Sequence, residues 1–252
     1  MAVSERRAAL VTGASYGIGA AAAIGLAEDG FDVAITDLTV EPLAKTRAAI
    51  EATGRRVAAL ALDLRDQASI ERTLAAAAQA LGGLDVLVNN AGVPSLNRPA
   101  LEVTREAWDG VLAVNLTGTF FMAREMGRYL IGAGRPGAVI SLASTHGAVG
   151  FPGASAYGIA KAGVSHMSRM LAIEWAPHGI RVNAVAPGTT PTETRAPSLA
   201  DPQRRDVMLS RIPLKRFAEV SEVAGAIRYL ASPQAAYITG QTLLVDGGLT
   251  AY

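Results

Sequence analysis

Tyr157 and Lys161 stand four residues apart in the run Tyr157-Gly158-Ile159-Ala160-Lys161. On a helix that spacing puts the phenol and the ammonium on one face. An ammonium beside a phenol stabilises the phenolate and lowers the tyrosine pKa from about 10 toward working pH, as a general acid and base requires. By itself the spacing also describes an ordinary solvated helix face. A second cluster is Thr12-Gly13-Ala14-Ser15-Tyr16-Gly17-Ile18-Gly19, directly after an apolar run. Glycines at a strand exit let the chain turn tightly and let a pyrophosphate approach without a Cβ in the way. The helix N-terminus that follows offers free N–H groups and its dipole to the phosphates. Gly13, Ser15, Tyr16, Gly17, Ile18 and Gly19 therefore form a candidate dinucleotide-binding turn, spaced Gly-x-x-x-Gly-x-Gly rather than Gly-x-Gly-x-x-Gly, with a purely structural turn as the alternative. Asp37, 24 residues beyond Gly13, ends the next apolar run. A carboxylate there accepts hydrogen bonds from the adenosine ribose hydroxyls and repels a 2′-phosphate, so NAD is expected over NADP. Neither Tyr16 nor Leu38 supplies the cation that a 2′-phosphate would want. A helix N-cap is the alternative reading of Asp37.

Such side chains need rigid elements beneath them. Apolar runs at Ala8–Val11, Asp32–Thr36, Val57–Leu62, Asp85–Val88, Ala138–Leu142, Arg181–Val185 and Thr242–Val245 read as strands. Stretches with helical spacing lie between them, among them Gly17–Asp29, Glu41–Thr53, Gln67–Leu81 and Ala156–Ala176. Strands apolar on both faces and separated by helices predict a doubly wound, Rossmann-like α/β fold with a parallel sheet. No linker, low-complexity tract or repeat divides the 252 residues, so one domain over 1–252 is expected. Its least regular segment, 187–211, is long for a connection and reads as a substrate lid, or as a surface excursion.

Composition removes several function classes. A formal net charge of +1 gives no broad field for nucleic acid or an anionic membrane, which points to small-molecule partners. Without cysteine there are no disulfides, thiolate metal sites or thiol nucleophiles, and no metal site is expected. The charge-free stretches Ala8–Ala27 and Pro136–Ala160 are broken by Gly, Ser and Thr and do not read as bilayer helices. Met1–Arg7 carries Glu5 and is no signal peptide, so a cytoplasmic setting is expected.

Along nearly all its length the chain resembles the short-chain dehydrogenase/reductase family. The matching pieces are Thr12–Gly19, Asp63, Asn89-Asn90-Ala91-Gly92, Asn115, Ser144, Tyr157 with Lys161, Pro187-Gly188, and Ile238-Thr239-Gly240-Gln241 to Asp246-Gly247-Gly248. The resemblance implies that Tyr157 is the general acid and base, that Lys161 holds the nicotinamide ribose and tunes Tyr157, and that Ser144 bonds the substrate oxygen. It further implies that Asn115 keeps a water in a proton relay and that Asp63 and Leu64 meet the adenine. Asn90, Ala91 and Gly92 would lie along the cofactor, and Pro187, Thr190 and Thr192 would close over it. Read without the resemblance, Asn115 also fits a tie across a helix kink and Asp63 a turn former. Ala143 stands where many members have a second serine, and because the thirteen-residue step from Ser144 to Tyr157 fits the family, the resemblance implies Ser144 rather than Ser141. His146 lies near the expected substrate pocket as a contact or a bystander.

The expectation is an NAD-dependent oxidoreductase that interconverts a secondary alcohol and a ketone, its substrate a sugar, polyol or hydroxy acid. Reduction of 3-oxoacyl groups is the alternative, and a silent dinucleotide-binding sensor is the alternative of another class. An epimerase or dehydratase with tightly held NAD would want a further C-terminal substrate domain, and few residues follow Val245. The helices around Trp108–Leu130 and Ala156–Ala176, with Leu243–Tyr252, carry the apolar surface of an expected homotetramer.

Overall fold

The computed structural model describes residues 7–193 and 196–251. Seven strands form one parallel sheet: β1 (Ala8–Thr12), β2 (Asp32–Asp37), β3 (Val57–Ala61), β4 (Val86–Asn89), β5 (Gly137–Leu142), β6 (Ile180–Pro187) and β7 (Thr242–Val245). Their order is β3-β2-β1-β4-β5-β6-β7, so the winding reverses between β1 and β4. β1 is paired on both edges, with Ala9 beside Val33 of β2 and Leu10 beside Leu87 of β4. Successive residues of a strand feed opposite layers. Ala8 and Leu10 pack with Met122, Met126 and Trp175 on one side, while Ala9 and Val11 pack with Leu26, Val223 and Ile227 on the other. That two-sided burial is why these strands read as continuous apolar runs rather than alternating ones.

The helices are α1 (Gly17–Glu28), α2 (Ala44–Glu51), α3 (Gln67–Leu81), α4 (Arg105–Leu112), α5 (Thr119–Gly132), α6 (Ser155–Trp175), α7 (Ala196–Leu199), α8 (Pro202–Ser210) and α9 (Val220–Ala231). Local chemistry sets several ends. The Asp66 side chain accepts from Ala68 N–H to begin α3, and Gly82, at φ +80°, closes it. Thr104 caps α4, and the Glu219 and Glu222 side chains form a capping box on α9.

Two expectations need adjustment, and one helix is added. The Glu41–Thr53 stretch begins as a 3₁₀ turn, Glu41–Leu43, with Pro42 in it, before α2 takes over. The helix expected around Trp108–Leu130 is two helices joined by a π turn, Ala113–Gly118. Helix α9 stands outside the expected set, and Val220, Val223, Ala224 and Ile227 carry its helical spacing behind the Glu219–Glu222 capping box. Within 187–211, the backbone breaks into α7 and α8, with Asp201 capping the second through Gln203 N–H and Pro202 in its first turn. Met1–Arg6, the lid residue Arg195 and the tail residue Tyr252 lie outside the described residues, as does the side chain of Arg204. Among the described residues no helix is long and apolar enough to cross a membrane.

Candidate active site

A cleft of about 410 Å³ opens over the carboxyl ends of the strands, across the point where the winding reverses. The residues singled out for cofactor and chemistry line it, with two exceptions: Gly19 and Asn115 sit behind its wall. His146 lines it as well.

One end is the glycine turn between β1 and α1. Gly13 has φ +64°, and a Cβ there would come within 2.8 Å of Ala91 Cα. A Cβ on Gly19 would stand 2.2 Å from the Gly13 carbonyl oxygen and 2.4 Å from Asn90 Nδ2. Gly19 therefore serves the turn from inside, by letting α1 press against it. Asn90 straps the turn, donating from Nδ2 to the carbonyls of Thr12 (3.0 Å) and Gly13 (2.8 Å). Thr12 Oγ1 in return accepts the N–H groups of Asn90 and Ala91, both at 3.0 Å. Tyr16 occupies the N-cap position of α1 with no side-chain cap bond, so the cleft meets an uncapped helix N-terminus.

At the end of β2 the Ser15 hydroxyl donates to Asp37, whose other oxygen accepts Leu38 N–H at 2.8 Å. Asp63 holds Arg65 through two short charge-assisted bonds (2.9 and 2.7 Å), and this guanidinium keeps its carboxyl below the usual range. Arg65 itself lines the cleft. Sequence reasoning sought a cation beside Asp37 at Tyr16 and Leu38 and missed this one, 28 residues further along. The parallel register of β2 and β3, with Asp37 beside Ala61, brings it near.

At the other end, Tyr157 and Lys161 project from the first turns of α6, and Ser144 starts the 3₁₀ turn Thr145–Gly147 after β5. Lys161 is buried, with 5% of its surface exposed, and its Nζ donates to the Leu142 carbonyl at 2.6 Å. Burial pushes its pKa down from 10.5 to about 8. Its Nζ lies 5.8 Å from the centre of the Tyr157 ring. Ser144 lines the cleft, whereas Ser141 is fully buried in β5 and accepts from Asn89 Nδ2. Asn115, also fully buried, stands in the π turn and clamps Val93, accepting its N–H at 2.8 Å and donating to its carbonyl at 2.9 Å. Pro187 ends β6, buried Thr190 and Thr189 follow it, and Thr192 reaches the glycine turn, where its Cγ2 would lie 3.0 Å from a Cβ on Gly17.

The sequence matches a family profile described as enoyl-(acyl carrier protein) reductase over residues 13–250. It is 41% identical over 246 residues to a glucose 1-dehydrogenase of Gluconobacter oxydans (strain 621H), covering 96% of this chain and 91% of that protein. Among solved structures, one from Sinorhizobium meliloti 1021, provisionally described as a short-chain alcohol dehydrogenase, superposes with a TM-score of 0.94 at 48% identity, covering 99% of this chain and 98% of the other. Another, from Agrobacterium tumefaciens, provisionally described as a 2-deoxy-D-gluconate 3-dehydrogenase with bound NADP, gives a TM-score of 0.91 at 37% identity, covering 98% and 97%.

Proposed function

The chain belongs to the short-chain dehydrogenase/reductase family, and from that premise we propose that it oxidises a secondary alcohol of a sugar, polyol or hydroxy acid to the ketone with NAD, reversibly. The observation that carries this reading is the convergence of Ser144, Tyr157 and buried Lys161 in one cleft with the glycine turn. The residues present fit a dinucleotide: Gly13 and Gly19 have no room for a Cβ, and the helix beyond them is uncapped. When bound, the nicotinamide supplies the acceptor or donor of hydride.

Tyr157 takes the hydroxyl proton in oxidation and returns it in reduction, and the Lys161 ammonium beside it favours the phenolate. Ser144 holds the substrate oxygen, where charge develops as hydride moves. Lys161 also holds the nicotinamide ribose. Asn115 spends one lone pair and one N–H on Val93, and the other pair remain for a relay water. Asp37, which now accepts from Ser15, would receive the adenosine ribose hydroxyls, Asp63 and Leu64 would meet the adenine, and Asn90, Ala91 and Gly92 would run along the cofactor. Pro187, Thr190 and Thr192, which line the cleft, would cover it, and 187–211 would act as the lid of a single domain.

NAD would be preferred because the Asp37 carboxylate would repel a 2′-phosphate, while Arg65, the cation that could favour NADP, is paired with Asp63. We place the enzyme in the cytoplasm as a homotetramer. A second reading is reduction of a 3-oxoacyl group; the matching family profile is described as an enoyl-(acyl carrier protein) reductase, which shares the acyl thioester with that reading but acts on a carbon–carbon double bond rather than a ketone.

The test is a panel of sugars, polyols, hydroxy acids and a 3-oxoacyl thioester, each run with NAD(H) and NADP(H) and followed by cofactor absorbance. Oxidation of a member of the first three classes with NAD, lost by about a hundredfold in Tyr157→Phe, is expected. Asp37→Ala should weaken NAD and relax discrimination against NADP. Turnover of the thioester alone would favour the second reading, and equal use of both cofactors by the wild type would overturn the NAD assignment.

A further inference from the structure

His146 meets two residues of the proposed site, Ser144 and Tyr157, and a third, Phe151, that does not line the cleft. Its ring stacks on Phe151 at 4.1 Å between centres and 23° between planes, and stands edge-on to Tyr157 at 5.6 Å and 90°. Its Nδ1 lies 3.4 Å from Ser144 Oγ, and its own backbone N–H donates to the same oxygen at 3.2 Å. The turn has little freedom to drift, because a Cβ on Gly158 would come within 2.8 Å of the His146 carbonyl oxygen.

A serine hydroxyl has two lone pairs and one proton. The His146 backbone N–H takes one lone pair. If the imidazole carries its proton on Nε2, Nδ1 is an acceptor and the serine proton is spent on it. If Nδ1 carries the proton, it fills the second lone pair, and the hydroxyl can then only donate, into the cleft that Ser144 lines. A ketone or a nascent alkoxide oxygen needs that donor. The two N–H groups also polarise the hydroxyl in the sense that strengthens its donation.

We propose that His146 is a positioning residue whose Nδ1–H commits the Ser144 hydroxyl to donating its proton to the substrate oxygen. The proposal rests on Ser144 holding that oxygen. It places the side chain outside direct chemistry, and it gives Phe151 the task of holding the ring at the angle that Nδ1 requires. Phe151 is itself carried by a loop in which Gly153 accepts Arg98 N–H at 3.0 Å, so the rim around residue 98 braces the serine through the ring stack.

Two measurements test this. In protein labelled with ¹⁵N-histidine, the signal of His146, identified by its loss in His146→Asn, is read above the ordinary imidazole titration range. Nδ1 should carry the proton, and Ser144→Ala should shift the ring toward the Nε2–H form. An unprotonated Nδ1 in the wild type overturns the proposal, and this arm does not depend on turnover. Kinetically, His146→Phe keeps a ring on Phe151 but loses the donor, and should lower kcat about tenfold with the KM for NAD unchanged. His146→Asn places an amide N–H close to the Nδ1 position and should recover to within about threefold of wild type, while His146→Gln should not. In a Ser144→Ala background the Phe substitution should cost nothing more. Full activity in His146→Phe, or rescue by Gln and not Asn, overturns the proposal. Failure of the wild type itself on every alcohol and ketone would instead count against the proposed function, leaving the tautomer result to stand alone.

Discussion

Lys161 is the residue where burial and chemistry pull against each other. Its folded pKa of about 8 lies below the ordinary 10.5 because a buried ammonium has lost its water. Between these values the unfolded chain binds the extra proton, so this group makes stability rise with pH from about 8 to 10.5, and below 8 the fold carries the full cost of the charge. Comparing wild type with Lys161→Met cancels most other titrations. The wild-type unfolding free energy, from urea titration, should gain on the variant across that window, by up to about 1.4 kcal/mol per pH unit, and parallel curves would show that the lysine keeps its ordinary pKa. Lys161→Met should also weaken NAD binding if, as proposed, the same ammonium holds the nicotinamide ribose. Normal NAD affinity with slowed turnover would confine Lys161 to tuning Tyr157. The motif spacing already pointed to this pair. The spacing says nothing of the Leu142 carbonyl that holds Nζ at 2.6 Å, since that contact joins residues 19 apart through the meeting of β5 and α6.

At the scale of elements, the glycine turn is built as much by its neighbours as by its own sequence. Thr12 at the end of β1 receives two N–H groups from the loop after β4, and Asn90 of that loop returns two bonds to the turn. Thr12→Val keeps the shape and removes the acceptor, leaving two part-buried N–H groups unpaired. A loss of about 2 kcal/mol in stability, with weaker NAD binding, is expected by thermal unfolding and cofactor titration. Gly19→Ala should be worse, at about 3 kcal/mol or more, because its Cβ meets a backbone oxygen at 2.2 Å and neither helix nor turn can retreat alone. Gly17→Ala, whose Cβ meets the Thr192 methyl at 3.0 Å and whose φ is +60°, should act on the lid as well as on the turn. A Gly19→Ala protein as stable as wild type would show that the turn does not depend on this close approach. The π turn at Ala113–Gly118 works similarly: one irregular turn rotates Asn115 toward Val93, and the break falls where residue spacing still reads as helix.

At the scale of the whole molecule, two helices and the outer strand expose large apolar side chains. Ile159, Met170 and Ile173 are exposed on α6, the last at 74%, with Phe120 and Ile131 on α5 and Leu243 and Leu244 on the outer strand β7. These are the surfaces the proposed homotetramer would cover, with β7 offering an open edge to a second copy. Light scattering at micromolar concentration should show a tetramer, and Ile173→Glu should reduce it to smaller species; a monomeric wild type would refute the assembly. The lid has its own test. Hydrogen exchange across 187–211 should slow when NAD and substrate bind, and an unchanged pattern would remove the lid from the proposal.

The strands, most of the helices and the order of the motifs were legible in the chain itself. They depend on local patterning: apolar runs buried on both faces, helical spacing between them, and glycines at a strand exit. Ser144 could be chosen over Ser141 only because its step to Tyr157 fits the family, and the fold puts the one in the cleft and the other inside β5. What tertiary structure decided were relations between distant segments. Arg65 enters the cleft because β3 pairs beside β2, and Gly19 and Asn115 withdraw behind its wall because α1 and the π turn press on the loop after β4. His146 acquires its place by stacking on Phe151 across a turn. Residue type and spacing carry the period of an element and the chemistry a side chain owns. Which groups face one another depends on how the elements pack, and no single segment encodes that.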